Sequence, residues 1–244
     1  EKILSEKLLT AKAVFGLFKA NTINDDDIEI VTSNLSGEQQ EFIFRTLRQQ
    51  SKKASGKPNI ALSDFIAPKE TGKQDYMGCF CVTAGFGTQE LAAKYEAEHD
   101  DYNSIMVKAL ADRFAEAFAE YLHKEVRTKH WGYASEEALS NAELIKEQYK
   151  GIRPAPGYPA CPDHLEKLTI WDVLDVHKNI GVELTESLAM WPAASVSGYY
   201  FANPEARYFG LGKIKMDQVK DFAERKNIEV RMAEKWLNPN ISDD

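Results

Sequence analysis

The chain has 244 residues, of which 43% are apolar and 28% charged, and its formal net charge is −8. It is long enough to bury roughly 70–75% of its unfolded surface, so a sizeable core is available. The acidic balance excludes binding to nucleic acid through an overall basic footprint, and no apolar run reaches the roughly 20 residues of a membrane-spanning helix.

Residues 2–13 carry Ile3, Leu4, Leu8 and Leu9 on one side and predict an amphipathic helix. A strand is predicted at 13–22, a polar turn across 21–27, and a second strand at 26–31 with Ile28, Ile30 and Val31 facing inward. Residues 41–44 predict a strand leading into a helical turn, and SKKASGKPN at 51–59 a loop. The stretches 60–68 and 74–85 are apolar and β-like. The longest predicted element is a helix over 101–129, where Met106, Leu110, Phe114, Phe118, Tyr121 and Leu122 recur at helical spacing and Trp131 and Gly132 close it. Ser140 with Glu143 fits a capping box opening a helix through Tyr149. Asp163 with Glu166 fits another, leading into a helix to Asn179 that stops near Gly181. Three strands are predicted at 184–192, 194–201 and 206–214, separated by Pro192 and by ANPE, and two helices at 216–226 and 229–237. This order does not alternate βαβα, and it predicts an α+β fold rather than a doubly wound parallel sheet.

Three cysteines, Cys79, Cys81 and Cys161, are too few for a disulfide framework. With no signal peptide in view, the expectation is a reducing, cytoplasmic setting. The chain opens on EKILSEKLLT, without a methionine, and reads as a piece of a longer protein.

Four patterns carry possible chemistry. VTAGFGTQEL runs from a strand through Gly85 and Gly87 into a helix, as a dinucleotide-binding turn does. The third glycine and the following acidic strand end are missing, so a plain strand-to-helix turn is the better reading. Cys79, Cys81, Cys161 and His164 could in principle supply four ligands to zinc, but the spacing of the first pair is short, and buried cysteines acting as small apolar residues are expected instead. Asp112, Glu116 and Glu120 stand at i, i+4, i+8 on one helix face, flanked by Ala109, Ala115 and Ala119. Like charges at that spacing repel by about 0.2–0.5 kcal/mol, so the strip reads either as a solvated face or as a surface for a cationic partner. Finally, RPAPGYPACPDH at 153–164 holds four of the nine prolines and cannot be helix interior or central strand. It is expected to be a stiff extended loop. Arg153 could clamp a carboxylate, Gly157 could admit close backbone approach, and Tyr158, Tyr199, Tyr200, Tyr208 and Phe209 offer flat faces for a purine or a cation. A purely structural loop beside strand aromatics accounts for the same residues equally well.

The segment GIRPAPGYPACPDH resembles the Arg-x-x-x-Gly-Tyr segment of the reactivation domain of cobalamin-dependent methionine synthase, as do HDDYNSIMVKALADRFAEAFAEYLHKEVR, LTESLAMWPAASVSGYYFANPEARYF and EKWLNPN. The likeness covers nearly the whole chain. It implies a single non-Rossmann α+β domain over residues 1–244, with a long bent, mainly antiparallel sheet and flanking helices, that binds S-adenosylmethionine (AdoMet). It implies a role in methionine biosynthesis, where the full enzyme moves a methyl group from methyltetrahydrofolate to homocysteine through cobalamin. When cob(I)alamin is oxidised to cob(II)alamin, the reactivation domain docks on the cobalamin-binding module, flavodoxin or a similar reductase gives an electron, and AdoMet gives a methyl group. By residue, the resemblance places Arg153 at the AdoMet carboxylate, with Ala155, Gly157 and Tyr158 as mainly backbone contacts. Glu116 would be an acidic contact, Tyr208 and Phe209 would line the pocket, and Asp112 would face the cobalamin module and its histidine. No catalytic residue and no metal ligand are implied. The family's domain extends further toward the N-terminus, where an aspartate joins the site; this sequence begins after it, so weak AdoMet binding and no turnover by the fragment alone are expected. The alternative is a non-enzymatic domain stapled by zinc at Cys79, Cys81, Cys161 and His164.

Overall fold

The structure is a computed structural model that describes residues 2–33 and 37–242. Its strands are β1 (Thr10–Ile23), β2 (Asp27–Ser33), β3 (Gln39–Arg45), β4 (Asp75–Phe86), β5 (Glu183–Leu184), β6 (Met190–Trp191) and β7 (Ser195–Tyr200). Its helices are α1 (Lys2–Ser5), α2 (Thr88–Ala97), α3 (Asp101–Glu125), α4 (Asn141–Ile145), α5 (Glu166–Leu174), α6 (Val176–Ile180), α7 (Met216–Lys226) and α8 (Val230–Leu237). Five strands form one sheet in the order β3-β2-β1-β4-β7, with β1–β2 and β2–β3 antiparallel. The expected α+β class holds, and the parallel doubly wound alternative does not. Contacts divide the chain into two compact units, and β1, β4 and β7 each give residues to both.

The first unit comprises Glu1–Gly16, Cys79–Glu136 and Leu174–Ser197. The helix expected over 2–13 is limited to α1; Lys7 takes a positive φ of 52°, and the chain is extended from Thr10. Strand pairing overrides the weak helical periodicity there; the side chain of Leu4 lies outside the described residues. The long helix forms as expected and α3 is capped by the Asp100 side chain, which accepts from the Asn103 N–H at 3.0 Å. It ends in a π-turn at Val126–His130, before Trp131 and Gly132. Of the apolar residues expected at helical spacing only Leu122 is buried, with Leu110 and Phe118 half-buried. Val107, Ala111, Ala115, Ala119 and Leu122 are buried, while Met106, Phe114 and Tyr121 are exposed. Ala111 and Ala115 pack with Ala84 and Ala194, and Leu9 and Val196 close around them. Side chains this small let a helix approach a strand backbone closely, which an aromatic face would prevent. The strand expected over 184–192 is reduced to the two-residue hairpin β5–β6. The helix expected to Asn179 breaks at Asp175 (φ 45°) into α5 and α6, and stops at Gly181 (φ 75°) as expected.

The second unit comprises Leu17–Gly78, Glu137–Val173 and Gly198–Asp244. The three-residue turn between β1 and β2 places Asn24 and Asp25 at positive φ, a backbone that asparagine and aspartate adopt more readily than most residues. Ile28 and Ile30 are fully buried, whereas Val31 is half-buried. The helical turn expected after residue 44 does not form. Arg48 instead ties the extended segment down with a two-pronged bridge to Asp64 (2.7 Å each), a bond to Asp26 (2.7 Å), and Gln218 accepting from its backbone N–H at 2.7 Å. The β-like stretch 60–68 is a 3-10 turn at Leu62–Phe65, closed by the Asp64 carboxylate accepting from the Ala61 N–H. Its apolarity reflects burial of Ile60, Ala61, Leu62, Phe65 and Ile66, and burial alone does not specify a strand. Residues 206–214 make only an isolated bridge from Ile214 to Ile241 instead of a strand. Leu211 and Ile214 pack with Val219, Phe222, Ala233 and Leu237 of α7 and α8. The Ser140–Glu143 capping box is present, but α4 ends at Ile145, and Glu147 at φ 54° turns the chain before Tyr149.

Candidate functional site

The proline-rich loop belongs to the second unit; residues 152–154 are extended as expected, but 156–160 fold into turns. Ile152 and Phe201 exchange backbone hydrogen bonds at 3.0 Å each, and the Tyr199 N–H donates to the Pro154 carbonyl at 2.9 Å. Residues 152–154 therefore run as a short partner to residues 199–201, and proline costs nothing on a side where no donor is used. The chain then turns. The Tyr158 N–H donates to the Ala155 carbonyl (3.0 Å), the Gly157 N–H to the Cys161 carbonyl (2.8 Å), and the Cys161 N–H to the Tyr158 carbonyl (3.0 Å). The Cys161 thiol is a second donor to the Ala155 carbonyl at 2.9 Å. Burial and the nearby Asp163 and Glu166 push this thiol up, so it stays protonated and able to donate.

Gly157 is required here for two reasons. Its φ is +96°, and a Cβ on it would stand 2.3 Å from His164 Cε1. Gly157 and Tyr158 are exposed at the crest of the turn. Behind Arg153, the Tyr208 hydroxyl accepts from the Arg153 N–H at 3.0 Å and lies 3.1 Å from the Tyr149 hydroxyl. Tyr208 is 38% exposed and Tyr149 only 8%, so Tyr149 is an inner prop and Tyr208 the outer group. Phe209 is half-buried and meets the core ring of Phe65 edge-on at 6.4 Å. Arg153, Ala155, Gly157, Tyr158 and Tyr208 are thus brought together, with Phe209 beside them. Tyr149 was missed in the sequence; its only signal was an aromatic residue just before Gly151.

Beneath the loop lies a buried charge cluster. Asp163 and Glu166 are each 2% exposed. The Asp163 carboxylate accepts from the Leu165 N–H at 2.9 Å, and Glu166 accepts from the Arg45 N–H at 3.2 Å and from Lys226. Lys226 stands 3.8 Å from Asp163, beyond hydrogen-bond range, because its ammonium is bonded to Glu166. Burial, only partly offset by Lys226, pushes the Asp163 carboxyl up to about 7.

Asp112 and Glu116 lie exposed on α3 in the first unit. Asp112 lines a groove of about 500 Å³ with Gly87, Glu96, Lys108, Trp191 and Ala193. Glu120 does not continue a solvated strip; it is half-buried and 3.8 Å from Arg127, which is fully buried. The glycines of VTAGFGTQEL are explained by packing. A Cβ on Gly85 would stand 2.4 Å from Pro192 Cβ, and one on Gly87 2.4 Å from the Leu8 carbonyl. Cys79 and Cys81 are fully buried in β4, and burial pushes the Cys81 thiol up to about 12. Among the described residues, no group of three or more His, Cys, Asp or Glu side chains is placed to hold a metal ion.

An antiparallel sheet in an α+β fold, with an arginine- and tyrosine-bearing loop and no glycine-rich phosphate turn, places the chain in a class outside the Rossmann folds. Residues 1–227 match the model of the vitamin B12 dependent methionine synthase activation domain, and the chain belongs to that family. A solved structure, described as the crystal structure of the MetH reactivation domain bound to AdoHcy, is similar at 55% sequence identity and a TM-score of 0.94, over 100% of this chain and 74% of that one.

Proposed function

We propose that the chain binds AdoMet on the loop at 153–158 and presents it for the reactivation of methionine synthase. The observation that carries this reading is the loop itself, whose turn is closed by its own hydrogen bonds and whose Arg153 is held through its backbone by Tyr208. A site ordered in advance loses little entropy on binding. The similar structure bound to AdoHcy, the demethylated form of AdoMet, supports the same ligand class here.

Arg153 offers the only side chain of the loop turn suited to a two-pronged grip on the amino-acid carboxylate. The N–H groups of Gly157 and Tyr158 are engaged within the turn, so backbone contacts from these residues would come through carbonyl oxygens. Tyr158 and Tyr208 present rings to solvent for the adenine or the sulfonium. Glu116 would add an acidic contact and Phe209 an apolar wall. AdoMet supplies an electrophilic methyl group. The module would present it for reductive methylation of cob(II)alamin carried by a separate module, with one electron from flavodoxin or a similar reductase. Asp112 is the residue assigned to the contact with the cobalamin module. Titration calorimetry with AdoMet, AdoHcy and a decarboxylated analogue tests the core of this reading. Arg153→Ala is expected to cost about 1.5–3 kcal/mol toward the two carboxylate ligands and much less toward the analogue. Equal losses toward all three would remove Arg153 from the carboxylate.

A further inference from the structure

We propose that His164 is a positioning residue for the ligand loop that works in its neutral form. Its imidazole occupies the space a side chain on Gly157 would need, and its protonation displaces the turn and weakens ligand binding. The proposal rests on the reading of residues 153–158 as the AdoMet loop.

The geometry is specific. From the place a Gly157 Cβ would take, His164 Cε1 is 2.3 Å away, Nε2 2.8 Å and Nδ1 2.9 Å. The part of the ring nearest the Gly157 position is therefore Cε1 with its two flanking nitrogens. The Trp236 ring of α8 also packs on the imidazole, at 5.7 Å between centroids and a 49° tilt. The crest of the loop thus rests on His164, which is itself braced by a residue 72 positions further along the chain. A displacement of the ring removes the closest contact under Gly157 and so loosens the crest formed with Tyr158.

The protonation state follows from the same contacts. Nδ1 is buried and has no hydrogen-bond partner among the described residues. A neutral imidazole protonated on Nε2 leaves Nδ1 as a lone pair, whereas imidazolium carries N–H on both nitrogens. That second N–H would be buried without an acceptor, a costly arrangement. The charged neighbours oppose it too. Lys167 acts on the ring directly, and Lys235 sits 5.6 Å over the Trp236 ring. The adjacent Asp163 carboxylate accepts from the Leu165 N–H at 2.9 Å, and burial raises its own carboxyl. Burial and Lys167 hold the imidazole below its usual value. When His164 does gain a proton it must leave its seat to reach water, and the turn loses its support.

Linkage makes this testable. If only the neutral form supports the bound loop, the apparent Kd rises toward tenfold per pH unit below the His164 titration of the free protein. Reciprocally, bound AdoHcy must move that titration to lower pH. The experiment follows the His164 ring by NMR with and without AdoHcy, and measures AdoHcy affinity by calorimetry between about pH 5 and 8. His164→Gln places an amide near the Nε2 position without a titrating group; it is expected to bind within a few-fold of wild type near neutrality and to lose the acid-side rise in Kd. His164→Ala is expected to bind about tenfold more weakly than wild type near neutrality and to lose the acid-side rise in Kd. Urea midpoints of the variants separate loss of binding from loss of fold. The proposal is overturned if AdoHcy binds but leaves the His164 titration unmoved, or if His164→Gln keeps the wild-type pH profile. Absence of AdoHcy binding by wild type at any pH would overturn the loop reading first, and this proposal with it.

Discussion

Replacing Asp163 with asparagine should make the protein more stable than wild type at pH 8, with an advantage that shrinks steadily as the pH falls to 5. Asp163 is buried, its nearest cation is bonded to Glu166, and its carboxyl titrates at about 7 in the fold. In the unfolded chain it titrates near the ordinary aspartate value of about 3.9. Below that value both states hold the proton, and Asp163 costs nothing. Between the two values the folded state binds more protons than the unfolded one, so stability falls as pH rises. Above about 7 the full cost is present. The separation of the two values corresponds to on the order of 3–4 kcal/mol. Asparagine keeps an acceptor for the Leu165 N–H, now bonded at 2.9 Å, and never ionises. Lys226 retains Glu166 as its partner. Urea unfolding midpoints at steps from pH 5 to about 8 measure the difference between the two proteins, which cancels every other titrating group to first order. A difference that stays constant with pH, or that favours wild type increasingly as pH rises, refutes the assignment of a raised carboxyl to this site.

Two further outcomes follow from the first unit. Ala115 is 1% exposed and packed with Ala84, Ala111 and Ala194, so Ala115→Leu should cost about 1–3 kcal/mol in urea unfolding, while Ala109→Leu on the exposed face should change stability by less than about 0.5 kcal/mol. Equal effects at the two positions would contradict the buried face assigned to α3. In the intact multidomain enzyme, Asp112→Asn is expected to shift the cobalamin balance away from the histidine-off state, because a carboxylate favours a protonated free histidine; AdoHcy affinity should not change. Cobalamin absorbance reads that ligation directly, and an unaltered pH dependence would leave Asp112 as part of a solvated helix face.

The local chemistry of the chain was enough to determine much of this molecule. Proline fixes φ wherever it occurs, so the extended start of the loop at 153–154 was legible residue by residue, as was the special role of Gly157, though not the turns over 156–160. The capping box at Ser140 and the stop at Gly181 depend on neighbours three or four residues away, and a sequence displays such neighbours. What failed were the features set by partners distant in the chain. The large apolar side chains of α3 suggested one buried face, and the alanines supplied another, because the closeness of Ala84 and Ala194 cannot be read from helical periodicity. Residues 60–68 and 206–214 looked like strands because they are apolar, yet their apolarity serves burial, and the backbone is set by Asp64, Arg48 and the α7–α8 cluster. The site divided in the same way. Arg153, Gly157 and Tyr158 announce themselves in one short segment. The support from Tyr149, His164, Trp236 and the Cys161 thiol arises only when the fold brings those groups into contact, since a hydrogen bond or a ring packed under a glycine is a fact of distance, and distance in space is what a linear sequence does not record.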